Sequence, residues 1–227
     1  MPRGKQSRGQ CTFCGYETTK GSMVRHLAAC PRRRERMTAA AQTKRKPERL
    51  YHLRMQDAYS SDFWLDLEVR GSATLKDIDA YLRAIWLECC GHLSQFSIGG
   101  WGGREIGKQR RVEAVFQGDV ELTHIYDFGT SSETRIKAMG QREGPPLTDR
   151  PMVLMARNLM PEAACIECGQ PAMRLCMECL IEEQVGGTLC EQHARTYPHD
   201  NYGEPIELVN SPRLGMCGYD GPAEPPY

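Results

Sequence analysis

The sequence predicts an α+β fold: a small mixed sheet with one core helix, flanked by an N-terminal zinc finger and a C-terminal binuclear, cross-brace-like zinc module. Three observations predict it. Residues 50–142 pass from strand-like alternation to one helical period and back, whereas all three C-x-x-C pairs lie outside that stretch, at both ends. Hydrophobic content is 40% and aromatic content 7%, which suits a modest core supplemented by metal. Charge is segregated, with 13 Lys and Arg against 3 Glu in residues 1–49 and 16 against 26 acidic residues afterwards. The expected division is a finger at 1–31, a basic linker at 32–49, an α+β domain at 50–142, a second linker at 143–160 and a cysteine-rich zinc module at 161–227.

In "CTFCGYETTKGSMVRHLAAC" the ligand spacing is C-x2-C-x11-H-x3-C. Residues four apart share a helical face, so His26 and Cys30 on a short helix would meet the Cys11–Cys14 knuckle around one tetrahedral ion, resembling a C2HC finger. "PRRRERMTAAAQTKRKPERL" follows, rich in Arg and Lys around an alanine-rich centre. Mutual repulsion is expected to hold it extended until an anion neutralises it. Phosphates would do so with a strongly salt-dependent affinity, giving Lys20, Arg25, Arg32, Arg33, Arg34, Arg36, Lys44, Arg45, Lys46 and Arg49 as candidate nucleic-acid contacts. A solitary finger with a short helix points to backbone contact rather than base reading.

"YHLRM" and "FWLDLEV" read as strands, and "ATLKDIDAYLRAIWLEC" as an amphipathic helix capped by Thr74 with Asp77, whose apolar face is Leu75, Ile78, Leu82 and Ile85. Cys89 and Cys90 read as small buried hydrophobes without chemistry. "HLSQFSI" reads as a strand, and "GGWGGREIGKQRR" as a mobile connection whose glycines do not fit a phosphate loop. "VELTHIYDFGTSSETRIKAM" reads as a hairpin turning near 127–131. His52, His92 and His124 read as core or surface histidines.

The stretches "FWLDLEV", "ATLKDIDAYLRAIW" with "GHLSQFSI", and above all "IYDFG" before a strand resemble the plasmid pRiA4b ORF-3-like domain family of bacteria, archaea and their mobile elements. The resemblance covers about residues 50–140. It departs after Gly129, where "TSSETRI" replaces a turn containing Asp, Trp, Glu and His. It implies a compact α+β domain of uncharacterised activity, described in some members as a transposon passenger, and carries over no catalytic residues. Related members resemble this chain in a cysteine-rich tail ending "NSPR-x-G-x-CGY".

In the tail, Cys165 with Cys168, Cys176 with Cys179, and Cys190 with His193 are three ligand pairs; His199 and Cys217 would complete a fourth. Eight ligands suit two ions. Consecutive and interleaved pairings are both open. Only seven residues separate the first two knuckles, which favours interleaving: Cys165, Cys168, Cys190 and His193 on one ion, Cys176, Cys179, His199 and Cys217 on the other. About three zinc ions are therefore expected in the whole chain. Were His199 and Cys217 not ligands, an open position would suit metal-dependent hydrolysis, but no H-x-E or H-E-x-x-H run supplies a general base.

The expected function is non-enzymatic: nucleic-acid contact through the basic finger and arm, with a protein partner docked on the body and C-terminal module, as in a mobile-element accessory. A pure protein–protein adaptor is the alternative. The chain has no run of 18 apolar residues and no signal-like apolar segment at its start, so a cytoplasmic location without membrane contact is expected. There, eleven cysteines read as metal ligands rather than disulfides.

Overall fold

The computed structural model describes residues 7–199 and 201–226. Its centre is a nine-stranded sheet with a helical layer on each face. The chain enters through a short hairpin, β1 (Arg8–Cys11) and β2 (Glu17–Thr19), and helices α1 (Lys20–Ala29) and α2 (Pro31–Ala41). Strands β3 (Glu48–Asp57) and β4 (Trp64–Arg70) lead to helix α3 (Leu75–Leu82), which widens into a π-helical turn over Arg83–Leu87. Then come β5 (Ser94–Ile98), β6 (Arg104–Ile106), a four-residue helix α4 (Val112–Val115), β7 (Glu121–Tyr126), β8 (Ser132–Gly144) and β9 (Met152–Asn158). The order across the sheet is β2-β1-β9-β4-β3-β8-β7-β5-β6.

Four expectations change here. The sheet is large, and all its described pairings are antiparallel rather than mixed. The reason lies at the ends: β1 pairs with β9, so the N-terminal hairpin extends the same sheet as the body. The supposed linker 143–160 thus contains an interior strand, and part of the "GGWGG" connection forms the edge strand β6.

Strand β4 explains the layering. In "FWLDLEV", Leu65, Leu67 and Val69 point into a core with Leu75, Ile78, Leu82, Ile85 and Trp86 of α3 and its π turn. Each such side chain contributes about 1.5–3 kcal/mol on burial. Thr74 and Asp77 close a reciprocal capping box at the start of α3. The alternate residues face the other way, where Trp64 packs with Met23, Leu27, Cys11 and Cys30 of the N-terminal unit. Asp66 and Glu68 lie on that same side of β4 and are buried. Buried carboxylates need partners. Asp66 accepts from Arg54 at 2.9 and 2.7 Å, and Glu68 from Arg142 and from Arg33 of α2.

That last contact removes another expectation. The basic segment is helical over Pro31–Ala41 rather than extended. Pro31 sits in the first turn, where its missing N–H costs nothing, and Glu68 neutralises Arg33 at 2.9 Å. Gly9 is also fixed by packing: a Cβ there would collide with the Trp64 ring and the Arg157 carbonyl.

Beyond β9 the chain forms a separate three-stranded sheet from β10 (Arg174–Leu175), β11 (Thr188–Leu189) and β12 (Ile206–Glu207), with short helices α5 (Met177–Ile181) and α6 (Glu191–Ala194). The final segment returns to the body. Arg213 is fully buried, donates to Asp127 at 2.7 Å and to the Thr130 carbonyl, and lies over the Tyr126 ring, whose other neighbour is the Arg83 guanidinium. Thus "IYDFG" forms a socket, and "SPR" of the tail fills it.

Candidate metal centres

All eleven cysteines and four of the six histidines gather into four groups, each able to hold a metal ion, and no disulfide joins any of them. The first is Cys11, Cys14, His26 and Cys30, the set read from the sequence. Cys11 ends β1, Cys14 lies in the following turn, His26 is on α1, and Cys30 bridges α1 and α2. The turn is a knuckle: the N–H of Cys11 donates to the Tyr16 carbonyl and that of Gly15 to the Cys11 carbonyl. Gly15 takes φ +74°, open to glycine at no steric cost. Cys11 and Cys30 sulfurs are 4.0 Å apart, and Cys14 Sγ is 3.4 Å from His26 Nε2.

The second group is Cys165, Cys168, Cys190 and His193. Its first pair repeats the knuckle, with Cys165 donating to the Gln170 carbonyl, Gly169 to that of Cys165, and Gly169 at φ +70°. His193 Nδ1 is 3.4 Å from both Cys165 and Cys190, and Cys168 is 3.9 Å from Cys190. The third group is Cys176, Cys179 and His199, with His199 Nδ1 at 3.6 and 3.3 Å from the sulfurs. Glu183 stands 3.4 Å from the opposite nitrogen of that ring, the place of a carboxylate that orients a ligating imidazole. Cys165 and Cys168 thus lie beside Cys190 and His193 rather than beside Cys176 and Cys179. Cys217 does not join this third group.

It joins a fourth that the sequence reading missed: Cys89, Cys90, His92 and Cys217. Cys90 is exposed rather than a buried hydrophobe. A signal existed, because "CCGH" carries three potential ligands in four residues directly after a helix. Its completing cysteine lies 127 residues away from Cys90, and no local spacing announces that.

The donor geometry fits metal ligation. A disulfide needs sulfurs at about 2.05 Å, whereas a tetrahedral ion with metal–sulfur bonds near 2.3 Å implies sulfur separations of roughly 3.8 Å. The first two groups sit close to that edge length. Electrostatics agree. Burial pushes the Cys11 thiol up to about 12, and a cation is what would discharge so buried a sulfur as thiolate. Burial also opposes ionisation of Cys165, but backbone N–H groups of Cys190, Glu167 and Cys168 bring it down to about 6. Burial lowers His26, keeping its ring in the neutral form a metal requires.

No protein-family model matches the chain, and no curated protein matches it. A solved structure of a protein of unknown function from Methanosarcina mazei Go1 overlaps 48% of this chain and 69% of its own, at 17% identity and a TM-score of 0.41. A likeness that loose carries no argument.

The ten basic candidates separate by surroundings. Arg33 is sequestered against Glu68. Lys20 Nζ donates to Gln56 and to the Ser61 carbonyl. Arg45 forms a two-pronged pair with Asp149, Arg49 pairs with Glu143 at the surface, and Arg32 with Glu35 on its own helix. Arg25, Arg34, Arg36, Lys44 and Lys46 are exposed and form no ion pair among the described residues. No helix among the described residues is long and apolar enough to cross a membrane.

Proposed function

We propose that this protein is a non-enzymatic zinc protein that binds nucleic acid through its N-terminal face and docks a protein partner through its body and C-terminal module. The carrying observation is the set of unpaired, exposed Arg25, Arg34, Arg36, Lys44 and Lys46 on and beside two helices fixed by the first cysteine–histidine group. Cysteine-rich sets with one imidazole favour zinc, and such sites are mostly structural. The body is read as a pRiA4b ORF-3-like domain, supported by the falling of "ATLKDIDAYLRAIW" and "IYDFG" on α3 and the β7–β8 turn of one core. The accessory role in a mobile element rests on that reading alone. A cytoplasmic site is the compartment that suits free thiols.

Backbone contact predicts steep salt dependence. The test is binding of a mixed-sequence duplex and of a single strand between 50 and 200 mM salt, wild type against Arg34→Gln/Arg36→Gln/Lys44→Gln/Lys46→Gln. Affinity should fall for the quadruple variant, and its slope against log salt should flatten by roughly 3–4 for duplex DNA. Absence of wild-type binding at low salt would sink the reading and leave the adaptor. One observation favours docking: Trp101 and Phe128 meet edge-on at 5.5 Å, and both are about half exposed. A hydrolytic third group is less favoured, since Glu183 is engaged behind His199 rather than beside the sulfurs.

A further inference from the structure

We infer that Cys89, Cys90, His92 and Cys217 form a fourth metal site, for a thiophilic tetrahedral cation, that latches the C-terminal segment onto the α+β body. It goes beyond the function proposed above and shares with it only thiolate chemistry.

The four donors come from two remote places. Cys89, Cys90 and His92 follow the π-helical turn Arg83–Leu87, where the Glu88 N–H reaches back to the Arg83 carbonyl at 2.9 Å. That turn breaks the helical path, so the next residues leave the core: Cys89 is half-buried and Cys90 exposed. Cys217 is brought up by the tail. Its sulfur lies 3.3 Å from Cys90 Sγ and 3.3 Å from His92 Nε2; Cys90 is 3.0 Å from His92 Nε2 and 3.6 Å from Cys89. All four donor atoms lie within 4.8 Å of one another.

Two features make this more than a chance meeting. Cys217 has φ +52°, in the left-handed region that non-glycine residues avoid, between Gly215 and Gly218 that share it. Without that conformation its sulfur would not face the other three. The segment is also seated on both sides of the site: Ser211 donates to the Trp86 carbonyl at 2.8 Å, Arg213 enters the Asp127 socket, and Tyr219 is buried against the Ile85 carbonyl. The third group, one cysteine short of the sequence expectation, lies between the latch and β9. The latch therefore holds the far end of the whole C-terminal module. Binding would displace the thiol protons, leaving thiolates on the cation.

Zinc is the probe. Full-length reduced protein, loaded with zinc and freed of excess, is analysed for metal per chain beside Cys217→Ser and Cys90→Ser. Each variant should hold one equivalent fewer than wild type, and trypsin should cut beyond residue 208 severalfold faster. Both altered side chains are exposed, so folding should survive; His92→Gln, measured the same way, replaces either that does not. Equal metal content in wild type and variants overturns the latch. So does a Cys90–Cys217 disulfide in the metal-loaded protein, found by mapping under non-reducing conditions. Metal content is read without nucleic acid, so this result and the salt titration fail independently.

Discussion

At the scale of single residues, Arg213 is the most consequential side chain outside the metal groups. Its guanidinium is fully buried, answers Asp127 at 2.7 Å, and caps the Tyr126 ring. Burial alone would raise the Asp127 carboxyl, but Arg213 and the N–H of Gly129 hold it below its ordinary range. Removing one partner of a buried pair typically costs about 3–5 kcal/mol. Arg213→Ala should lose stability of that order in urea unfolding, whereas Arg49→Ala, at an exposed pair, should lose less than about 1 kcal/mol. Gly9 offers a second check. Gly9→Val should peel β1 from Trp64, lowering affinity of the first site for zinc without touching a ligand, as competition with a chelator would show.

At the scale of elements, α3 shows how far local sequence reaches. Its cap, its apolar face and its start were all legible, because a capping box and a 3.6-residue period are local properties. Thr74→Ala should cost about 1 kcal/mol. What the period could not show was the polar underside. Burial would raise Asp79, but hydrogen bonds from His124 at 2.7 Å and Ser94 at 2.6 Å, with the Arg83 charge, hold it well below the usual carboxylate range. Burial keeps His124 neutral. A depressed carboxyl contributes stability that is complete above its unfolded value near pH 4 and is lost as pH falls through the lower, folded value. Protection of the β5 and β7 amides, relative to their intrinsic exchange at each pH, should therefore fall below about pH 4, and Asp79→Asn should flatten that dependence. Exchange at those strands separates this loss from acid release of metal elsewhere.

At the scale of the whole molecule, the sequence disclosed the parts better than their joining. Knuckles, strands and helix are short-range patterns, and the nearness of Cys190 and His193 to Cys165 and Cys168 follows from a seven-residue gap. The union of β1 with β9 is long-range, 147 residues apart where Gln10 faces Arg157, and depends on which edge of β9 is left unpaired. Repulsion along the basic helix is relieved by Glu68, which reaches Arg33 from a strand 35 residues further along the chain. Cys90 was read as inert because its completing cysteine arrives from the tail. Each miss has the same origin: a partner supplied by distant chain. A strong chelator should thus abolish the C-terminal module and loosen the N-terminal hairpin while leaving the β3–β4–β8 amides protected, measurable by hydrogen exchange.

The pairing of β1 with β9 carries one more consequence. That short strand is the cover on an otherwise bare border of the main sheet, and Cys11 pins its end. Uncovered strand borders recruit other chains. Protein stripped of an ion at the first group would then present an adhesive rim and self-associate, and resupplied metal would restore single molecules only before those contacts matured.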